Sequence, residues 1–239
     1  MELSNAFDAI LQECLYGATG TGEDHVCDCA LYHCADVGAD VTTDEIGNVI
    51  IDRTDGNGQS ALLSAHMDRH PMGRGYDDCV GVAMILSLVK HSAAPFKALL
   101  TVGEEIGGEG IKAADPSLYD NVSAAIVLDR HGAHDMIDRT ADGRTCPLSI
   151  AVALTTLCAD IGYPYVRTRG NYSDVVQIAK HVPAVNLSVG YYAEHTEEEG
   201  LDLATARMVC AVVDRLVSRQ DEWATPKRDH QILITKGGE

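Results

Sequence analysis

Short apolar runs alternate along this chain with longer segments of helical periodicity, and this alternation limits the possible folds most strongly. Buried strands are predicted for four of the runs: ALLSA, FKALLTVG, AAIVL and AVNLSVGY. Helices are predicted between them for segments such as CVGVAMILSLVKHS and SDVVQIAKHV. Strands that alternate with helices predict an α/β three-layer sandwich, with a mixed, largely parallel central sheet and helices on both faces.

Further elements flank this central pattern. Helices are predicted over residues 4–16 and, after the Gly/Thr loop GATGTGED (17–24), up to about Val37, before the first strands. The segment from Asp40 to His66 contains three strand-like runs joined by a Gly-Asn and an Asp-Gly turn, which predicts an antiparallel beginning of the sheet. A long helix closes the pattern, and its predicted core face carries Leu201, Ala204, Met208, Ala211, Val212 and Leu216. No repeat or linker interrupts the chain, so we expect residues 1–239 to form one domain.

The charge of the chain excludes two classes of partner. The 18 Lys and Arg residues face 36 Asp and Glu residues, which gives a net charge of −18. Such a chain is repelled by phosphate backbones and anionic lipid, so we expect neither a nucleic-acid nor a membrane partner. No stretch approaches the roughly 18 apolar residues of a membrane span. Because no secretory signal is visible, the eight cysteines are interpreted as reduced thiols of a cytoplasmic protein.

The segment HVCDCALYHC has two interpretations. Its histidines and cysteines suggest a structural zinc site formed by His25, Cys27, Cys29, His33 and Cys34. Helical spacing, however, groups Cys27 and Cys34 with Ala30 and Leu31 on one face. That grouping favours thiols that pack in the core as small apolar side chains.

Acidic and histidine residues directly follow the predicted strands. They are His66 and Asp68 after ALLSA, Glu104 and Glu105 after ALLTVG, Asp129 after AAIVL, and His195 after AVNLSVGYYAE. Ligands of open α/β sheets bind at the carboxyl ends of the strands, so we expect these side chains at one edge of the sheet. The turn YDD adds Asp77 and Asp78 before the next helix. Two histidines and several carboxylates form a mixed nitrogen and oxygen set that suits Zn²⁺, Co²⁺ or Mn²⁺.

The order His-x-Asp, Asp-Asp-x-x-Gly, Glu-Glu, Asp and His resembles that of the co-catalytic zinc peptidases. This family includes bacterial and vacuolar-type aminopeptidases, the tetrahedral aminopeptidases and the peptidase T-like enzymes. The resemblance covers residues 5–217 and extends to the landmark segments GATGTGED, DEIGNVII and VGYYAEHTEEE. It implies the zinc-peptidase type of α/β sandwich, two bound Zn²⁺ ions (or Co²⁺ or Mn²⁺) and a peptide or small amide substrate.

The resemblance also assigns ligands to the two ions. His66, Asp77 and Asp129 would hold one ion, and Asp77, Glu105 and His195 would hold the other. Glu104 would be the general base, taking a proton from the water between the ions and passing it to the leaving amine.

The two aspartates of the YDD turn have different implied roles. Asp77 would be the bridge, because it lies four residues before Gly81, as in the tetrahedral enzymes. The peptide bond between Asp77 and Asp78 is expected to be cis, as is frequent in the family. Asp78 is also a candidate N-cap of the following helix. Asp68 would accept the second ring N–H of His66 and so fix the tautomer of that ligand.

These assignments predict an exopeptidase, most simply an aminopeptidase or dipeptidase that cleaves next to a free N-terminus. An Asp at position 129 resembles the aminopeptidase members more than the carboxypeptidases. The alternatives are an N-acyl amino-acid deacylase, a glutaminyl-cyclase-like enzyme, or a non-catalytic binding homologue. Only 11 positions (77 − 66) separate His66 from Asp77, where the tetrahedral enzymes insert a domain. We therefore expect no lid or dimerisation insert; the oligomeric state stays open, and a large cage is doubtful.

Several residues near the implied ligands keep two interpretations. Contact with substrate and simple loop positions are both open for His70, His131 and His134. Asp174 in RGNYSDVV is either a helix cap or a substrate contact. The acidic run TEEE after His195 is interpreted as the solvated start of a helix.

Overall fold

The computed structural model describes residues 2–16, 22–54, 56 and 58–224. The landmark GATGTGED lies largely outside this part, as does the tail after residue 224. The helices are α1 (Leu3–Leu15), α2 (Glu23–Val37), α3 (Tyr76–His91), α4 (Glu109–Ala113), α5 (Leu148–Ile161), α6 (Asp174–Ile178) and α7 (Leu203–Ser218). The strands are β1 (Asp40–Thr43), β2 (Val49–Asp52), β3 (Ser60–His66), β4 (Phe96–Thr101), β5 (Val122–Arg130), β6 (Asp135–Thr140), β7 (Gly143–Arg144), β8 (Val166–Arg169), β9 (Ala184–Ser188), β10 (Tyr191–Tyr192) and β11 (Gly200–Leu201).

Nine of these strands form one mixed sheet in the order β1-β2-β4-β3-β5-β9-β6-β7, with β8 also paired to β6. The four central strands β4, β3, β5 and β9 run parallel to one another. Antiparallel pairs lie towards the edges, between β1, β2 and β4 and between β9, β6 and β7. The predicted mixed, largely parallel sheet is thus confirmed. The carboxyl ends of β3, β4, β5 and β9 consequently face the same edge.

Helices cover both faces of the sheet. Alternate residues of β3 point into different cores, because successive side chains of a strand alternate between its faces. Leu63 packs in the larger core together with side chains from α1, α2, α3, α5 and α7. Leu62 packs in a smaller core with Ile111 of α4 and Val175 of α6. The structure therefore has the three predicted layers.

The predicted antiparallel beginning is only partly correct. β1 and β2 form the expected hairpin, but β3 does not pair with β2. Instead β2 pairs with β4, and β3 lies between β4 and β5, parallel to both. All seven residues of β3 are buried, so this strand needs a neighbour on each side and a helix layer on each face.

Three strands, β6, β7 and β8, were absent from the sequence-based prediction. Their sequences are rich in charged residues and read as loops. The structure neutralises these charges locally: Asp138 is fully buried and accepts from Arg139, Arg144 and Arg167 at 2.5, 3.0 and 2.6 Å. Burial of a charge is tolerated when it is paired in this way. The pairing arises between separate strands and has no local sequence pattern.

The predicted core face of the last helix is partly wrong. Val212 and Leu216 are buried as expected, whereas Ala204, Met208 and Ala211 are exposed. The residues that α7 buries are Ala206, Val209, Cys210, Val212, Val213, Leu216 and Val217. Ala206, Val209, Cys210 and Val213 follow the spacing i, i+3, i+4 and i+7, so the helix has one buried face and the prediction placed it partly on the wrong residues.

The cysteines behave as core residues. All eight lie in the described ranges and are free thiols, six of them buried. Cys34 and Ala30 pack in the larger core, and Cys27 packs against it partly buried. Within the described residues, the groups that could hold a metal ion all include His66, and none lies in α2. No helix of the described chain combines the length and apolar character needed to cross a membrane.

Asn48 connects the first hairpin to the loop that follows β4. Its amide nitrogen donates to Asp44 Oδ2 at 2.7 Å and to the carbonyl of Gly110 at 3.0 Å. Its amide oxygen accepts from the backbone N–H of Val102 at 3.1 Å. The side chain is fully buried, so these three bonds satisfy it without water. Asn48 thereby fixes the segment that carries Glu104 and Glu105.

We expect Asn48→Ala to lower the free energy of unfolding by about 2–4 kcal/mol, because it leaves buried donors and acceptors without partners. For a chain of this size, that corresponds to a decrease in Tm of about 4–12 °C. The measurement is thermal unfolding, with Asn5→Ala on the exposed face of α1 as the matched control. Equal Tm values for the two variants would contradict the role of Asn48.

Candidate metal centre and active site

His66 ends β3 and is almost completely buried, with 2% of its surface exposed. Its Nδ1 lies 3.1 Å from the backbone carbonyl of Asp68 and 3.3 Å from Asp68 Oδ1, so Nε2 points away from Asp68. Burial disfavours the imidazolium, but the carboxylates of Asp129, Asp68 and Asp77 outweigh it and raise the pKa of His66 well above its ordinary value. The predicted arrangement, in which Asp68 orients the ring, agrees with these contacts.

Asp68 also holds the loop after β4. Its Oδ1 accepts from the backbone N–H of Glu104 and its Oδ2 from that of Glu105, both at 3.0 Å. Burial works against ionisation, but hydrogen bonds from His66 and from these two backbone groups lower the pKa of Asp68. A single buried carboxylate thus aligns His66 and the Glu104-Glu105 pair.

Asp77 lies between the two histidines that the sequence singled out. Its Oδ1 is 3.1 Å from His66 Nε2, and its Oδ2 is 3.3 Å from His195 Nε2. Each oxygen therefore faces one imidazole, as a bridging carboxylate requires. Burial opposes ionisation, but the hydrogen bonds from His195 and His66 hold the pKa of Asp77 well below its usual range.

Asp78 has a different environment from Asp77. It is fully buried, its Oδ2 accepts from the backbone N–H of His66 at 3.2 Å, and its Oδ1 accepts from that of Gly81 at 3.0 Å. The backbone of Asp77 and Asp78 is not helical, so the regular part of α3 begins after Asp78 and the bond to Gly81 caps it, as proposed from the sequence. The peptide bond between Asp77 and Asp78 is cis, as expected. A Cβ at Gly81 would lie 2.4 Å from the carbonyl oxygen of Leu128, which explains the glycine of the motif.

The Glu104-Glu105 pair follows β4 and meets the same centre. Glu105 Oε1 is buried, lies 3.0 Å from His195 Nε2 and makes no hydrogen bond. Burial raises the pKa of Glu104 to about 8 and that of Glu105 to about 7 in the metal-free protein. Glu104 and His66 both line the same cavity.

Asp129 is positioned by two residues that the sequence did not identify. Its backbone N–H donates to Asn186 Oδ1 at 3.0 Å, and Asn186 Nδ2 donates to its carbonyl at 2.6 Å. The hydroxyl of Tyr191 donates to Asp129 Oδ1 at 3.2 Å, and this oxygen lies 3.7 Å from His66 Nε2. One feature of the sequence could have identified Asn186: it is a polar residue inside the apolar run AVNLS.

His195 is the exposed member of the set, with 46% of its side chain accessible. Its φ of 61° lies in the left-handed region, which is uncommon for a residue other than glycine. The ring of His70 stacks on the ring of His195, with centroids 4.4 Å apart. His131 pairs with Glu194 and lines the cavity, whereas His134 bonds the carbonyl of Pro164. His131 thus lines the cavity, His70 contacts the site through the ring of His195, and neither His70 nor His134 is among the lining residues.

Two interpretations near the site need correction. Asp174 neither caps a helix nor lines the cavity: it is buried, and its Oδ2 bonds the hydroxyl of Thr101 at 2.5 Å. The acidic run TEEE does not begin a helix, because α7 starts at Leu203. Its last residue, Glu199, is buried and not solvated. Both outcomes depend on contacts with distant segments.

These residues border a cavity of about 250 Å³. It is lined by His66, Asp77, Glu104, Asp129, Arg130, His131, Ile137, Gly170, Asn171, Tyr172, Ser173, Asn186, Tyr191, Glu194 and His195. A larger cavity of about 530 Å³ lies between α1 and α2 and contains none of them. The smaller cavity is therefore the candidate site.

The donor set fits metal ions. One oxygen or nitrogen of each of His66, Asp77 and Glu105 lies within 4.8 Å of the others. Among the described residues, no lysine or arginine forms an ion pair with Asp68, Asp77, Glu105 or Asp129. Only the imidazoles of His66 and His195 balance these four carboxylates in the metal-free chain, so the site retains excess negative charge that favours cations. The unbonded Glu105 Oε1 is the kind of atom that a metal ion satisfies.

Comparisons with known proteins agree with this geometry at the level of the fold. Aminopeptidase PepT from Bacillus cereus has a TM-score of 0.74 and 16% identity, over 89% of this chain and 98% of that chain. A glutaminyl cyclase from Porphyromonas gingivalis has a TM-score of 0.71 and 18% identity, over 92% and 100%. BSAP, a zinc aminopeptidase from Bacillus subtilis, has a TM-score of 0.60 and 18% identity, over 72% and 49%. No family profile and no curated protein sequence matches.

The chain therefore has the fold that these aminopeptidases and the glutaminyl cyclase share. The resemblance to co-catalytic zinc peptidases that the sequence predicted is confirmed at this level. Sequence identities of 16–18% carry no information about the substrate.

The pKa shifts predict how the metal-free protein responds to pH. Burial raises the pKa of Glu104 to about 8 and that of Asp174 to about 7, and the hydrogen bond to Asp77 raises the pKa of His195 to about 9. The folded chain thus holds protons that the unfolded chain has released, so stability falls as pH rises from about 6 to 9. We expect the Tm of the chelator-treated protein to be lower at pH 9 than at pH 6, by about 3 °C or more.

Loading with Zn²⁺ should reverse this trend, because deprotonated ligands bind the ions more tightly as pH rises. Differential scanning fluorimetry with and without Zn²⁺ measures both slopes. A metal-free Tm that stays constant or rises over this interval would contradict the assigned burial of these groups.

Proposed function

We propose that this chain is a di-zinc exopeptidase, an aminopeptidase or dipeptidase that hydrolyses the peptide bond next to a free N-terminus. The observation that carries the proposal is the position of Asp77, whose two oxygens face His66 and His195 at 3.1 and 3.3 Å. A carboxylate in this position joins two ions into one centre, and ions about 3.5–4 Å apart are typical of hydrolases with two metals. Peptidase activity is further supported by the aminopeptidases among the structures of the same fold.

The ligands would divide as the resemblance implies. His66 and Asp129 lie on one side of Asp77, and Glu105 and His195 lie on the other. Imidazole nitrogens and carboxylate oxygens suit Zn²⁺, with Co²⁺ and Mn²⁺ as alternatives. When bound, two such ions supply Lewis acidity and lower the pKa of a coordinated water to about 7.

Glu104 would act as the general base of the reaction. Its carboxylate lines the cavity beside the ligands but is not needed as one, since Glu105 occupies the position next to His195. It would accept a proton from the attacking water and return it to the nitrogen of the leaving amine. Asp68 supports this step, because its bonds to the backbone N–H groups of Glu104 and Glu105 fix the loop that carries the base.

The cavity favours a small cationic substrate group. Among the acidic residues that line it, Glu194 is neither an assigned ligand nor the base, so its carboxylate would attract the free α-amine of a peptide. Its volume of about 250 Å³ favours one or two residues rather than a folded protein. These features support an exopeptidase with a peptide or small amide substrate, in a single domain and without an inserted lid. The turn between β3 and α3 covers only residues 67–75.

A second candidate function has one specific observation in its favour. The glutaminyl cyclase from Porphyromonas gingivalis has the same fold with a TM-score of 0.71. A cyclase or an N-acyl amino-acid deacylase would likewise need a polarised amide carbonyl in its substrate and a general base at the position of Glu104. A non-catalytic binding homologue would not need a half-buried general base such as Glu104 beside the ligand Glu105, so it is the least supported alternative.

Glu104→Gln should lower kcat by about 100- to 10,000-fold, because the amide cannot accept the proton of the water. The metal content should stay near two ions per chain, since Glu104 is not a ligand in this arrangement. Steady-state kinetics and elemental analysis of the purified variant measure both values. The matched control is Glu109→Gln, which makes the same change at an exposed residue at the start of α4 and should retain full activity. Loss of an ion from Glu104→Gln would rule out Glu104 as the base.

The substrate class can be separated by activity profiling of the wild-type protein. Amino-acid anilides and dipeptides, N-acyl amino acids, and peptides with N-terminal glutamine report the three candidate activities. We expect hydrolysis of the first group, its loss on treatment with a chelator, and its recovery on addition of Zn²⁺ or Co²⁺. Activity confined to either of the other groups would replace the exopeptidase assignment with a deacylase or a cyclase.

A further inference from the structure

Glu199 is a buried carboxylate that, among the described residues, is bonded only to backbone groups of a distant turn. With 1% of its surface exposed, it accepts from the backbone N–H of Asp77 at 2.7 Å and from that of Gly75 at 3.1 Å. It also accepts from the backbone N–H of Arg74. Three N–H donors satisfy an ionised carboxylate without a cation, because each bond to a charged acceptor is strong.

Residue 77 is consequently held from two directions by one short segment. Glu199 binds its backbone N–H, while His195 lies 3.3 Å from its carboxylate. Both residues belong to the loop between β10 and β11, and the pairing of these two strands closes that loop at its base. The five-residue segment from His195 to Glu199 thus sets the spacing between the exposed histidine and Asp77.

The turn that carries Asp77 is built around this carboxylate. A Cβ at Gly73 would lie 2.6 Å from Glu199 Oε2, so any other residue at this position would force the Glu199 carboxylate to shift. The same turn is short, with residues 67–75 between β3 and α3. Without Glu199, no other acidic side chain of the described chain accepts the N–H groups of Arg74, Gly75 and Asp77.

We propose that Glu199 is a positioning residue for the metal centre, which fixes the geometry between Asp77 and His195 and so sets the affinity for the ion that they share with Glu105. The inference rests on the two-ion centre of the proposed function. Glu199 touches neither ion nor substrate; it acts through the backbone of Asp77 and through its own loop.

The two ions should depend on Glu199 unequally. We call the ion assigned to Asp77, Glu105 and His195 the outer ion, and the ion assigned to His66, Asp77 and Asp129 the inner ion. Two of the three ligands of the outer ion, Asp77 and His195, lie on segments that Glu199 joins. The inner ion shares only Asp77, and its other ligands, His66 and Asp129, lie at the ends of the central strands β3 and β5. Removing the carboxylate therefore weakens the outer ion more than the inner one.

The test is calorimetric titration of the metal-stripped full chain with Zn²⁺ and with Co²⁺. Glu199→Gln keeps the size of the side chain but replaces one acceptor by a donor that faces an N–H group. We expect the weaker binding step to lose about 10- to 100-fold in affinity, as is typical when a residue that orients a ligand is removed. Glu198→Gln is the matched control: it makes the same charge change on an exposed neighbour and should leave both steps unchanged.

A double-variant cycle identifies the ion that Glu199 affects. His195→Ala removes the outer ligand, so adding Glu199→Gln to it should change the remaining affinity by less than about threefold. If Glu199→Gln does not fold, Glu199→Asp, which keeps the charge and shortens the reach, is titrated instead and should show the same preferential loss.

Wild-type affinities in a folded Glu199→Gln or Glu199→Asp variant, even with a lower Tm of the stripped chain, would overturn the inference and leave the metal centre intact. A wild-type chain that binds fewer than two ions would instead overturn the proposed centre itself. If the wild-type chain binds two ions but cleaves no peptide, the proposed activity is ruled out and the role of Glu199 in metal binding is unaffected.

Discussion

The structure depends on one constraint: a single carboxylate, Asp77, must present one oxygen to each of two imidazoles. His66 is fixed at the end of a fully buried central strand, whereas His195 lies on an exposed loop. The distance between them therefore depends on Asp77, which contacts both imidazoles, and on the groups that hold Asp77. The cap formed by Asp78 and the backbone contacts of Glu199 fix the two sides of residue 77.

The sheet makes this arrangement possible because its central strands end at one edge. β3, β4, β5 and β9 run parallel, and His66, the Glu104-Glu105 pair and Asp129 lie at or just after the ends of β3, β4 and β5. His195 instead comes from the loop between β10 and β11. Buried hydrogen bonds then align neighbouring parts: Asp68 joins the strand end of β3 to the loop after β4, and Asn186 joins β9 to Asp129. The resulting excess of negative charge is unfavourable in the metal-free chain and favours cations.

The sequence predicted those features that depend on local order. A side chain at the end of an apolar strand, such as Glu105 or Asp129, has a predictable position once the sheet is parallel. Features that depend on contacts between distant segments were not predictable. The burial of Glu199 requires the turn at Asp77, and the strands β6 to β8 require the pairing of three arginines with Asp138.

The central claim is that Asp77 bridges two ions, and anomalous diffraction from a crystal of the zinc-loaded protein at the zinc absorption edge tests it most directly. The account predicts two peaks about 3.5–4 Å apart, one on each side of the Asp77 carboxylate. One peak should be adjacent to His66 and Asp129, and the other adjacent to Glu105 and His195. A single peak, or two peaks that do not share Asp77 as a ligand, would contradict it.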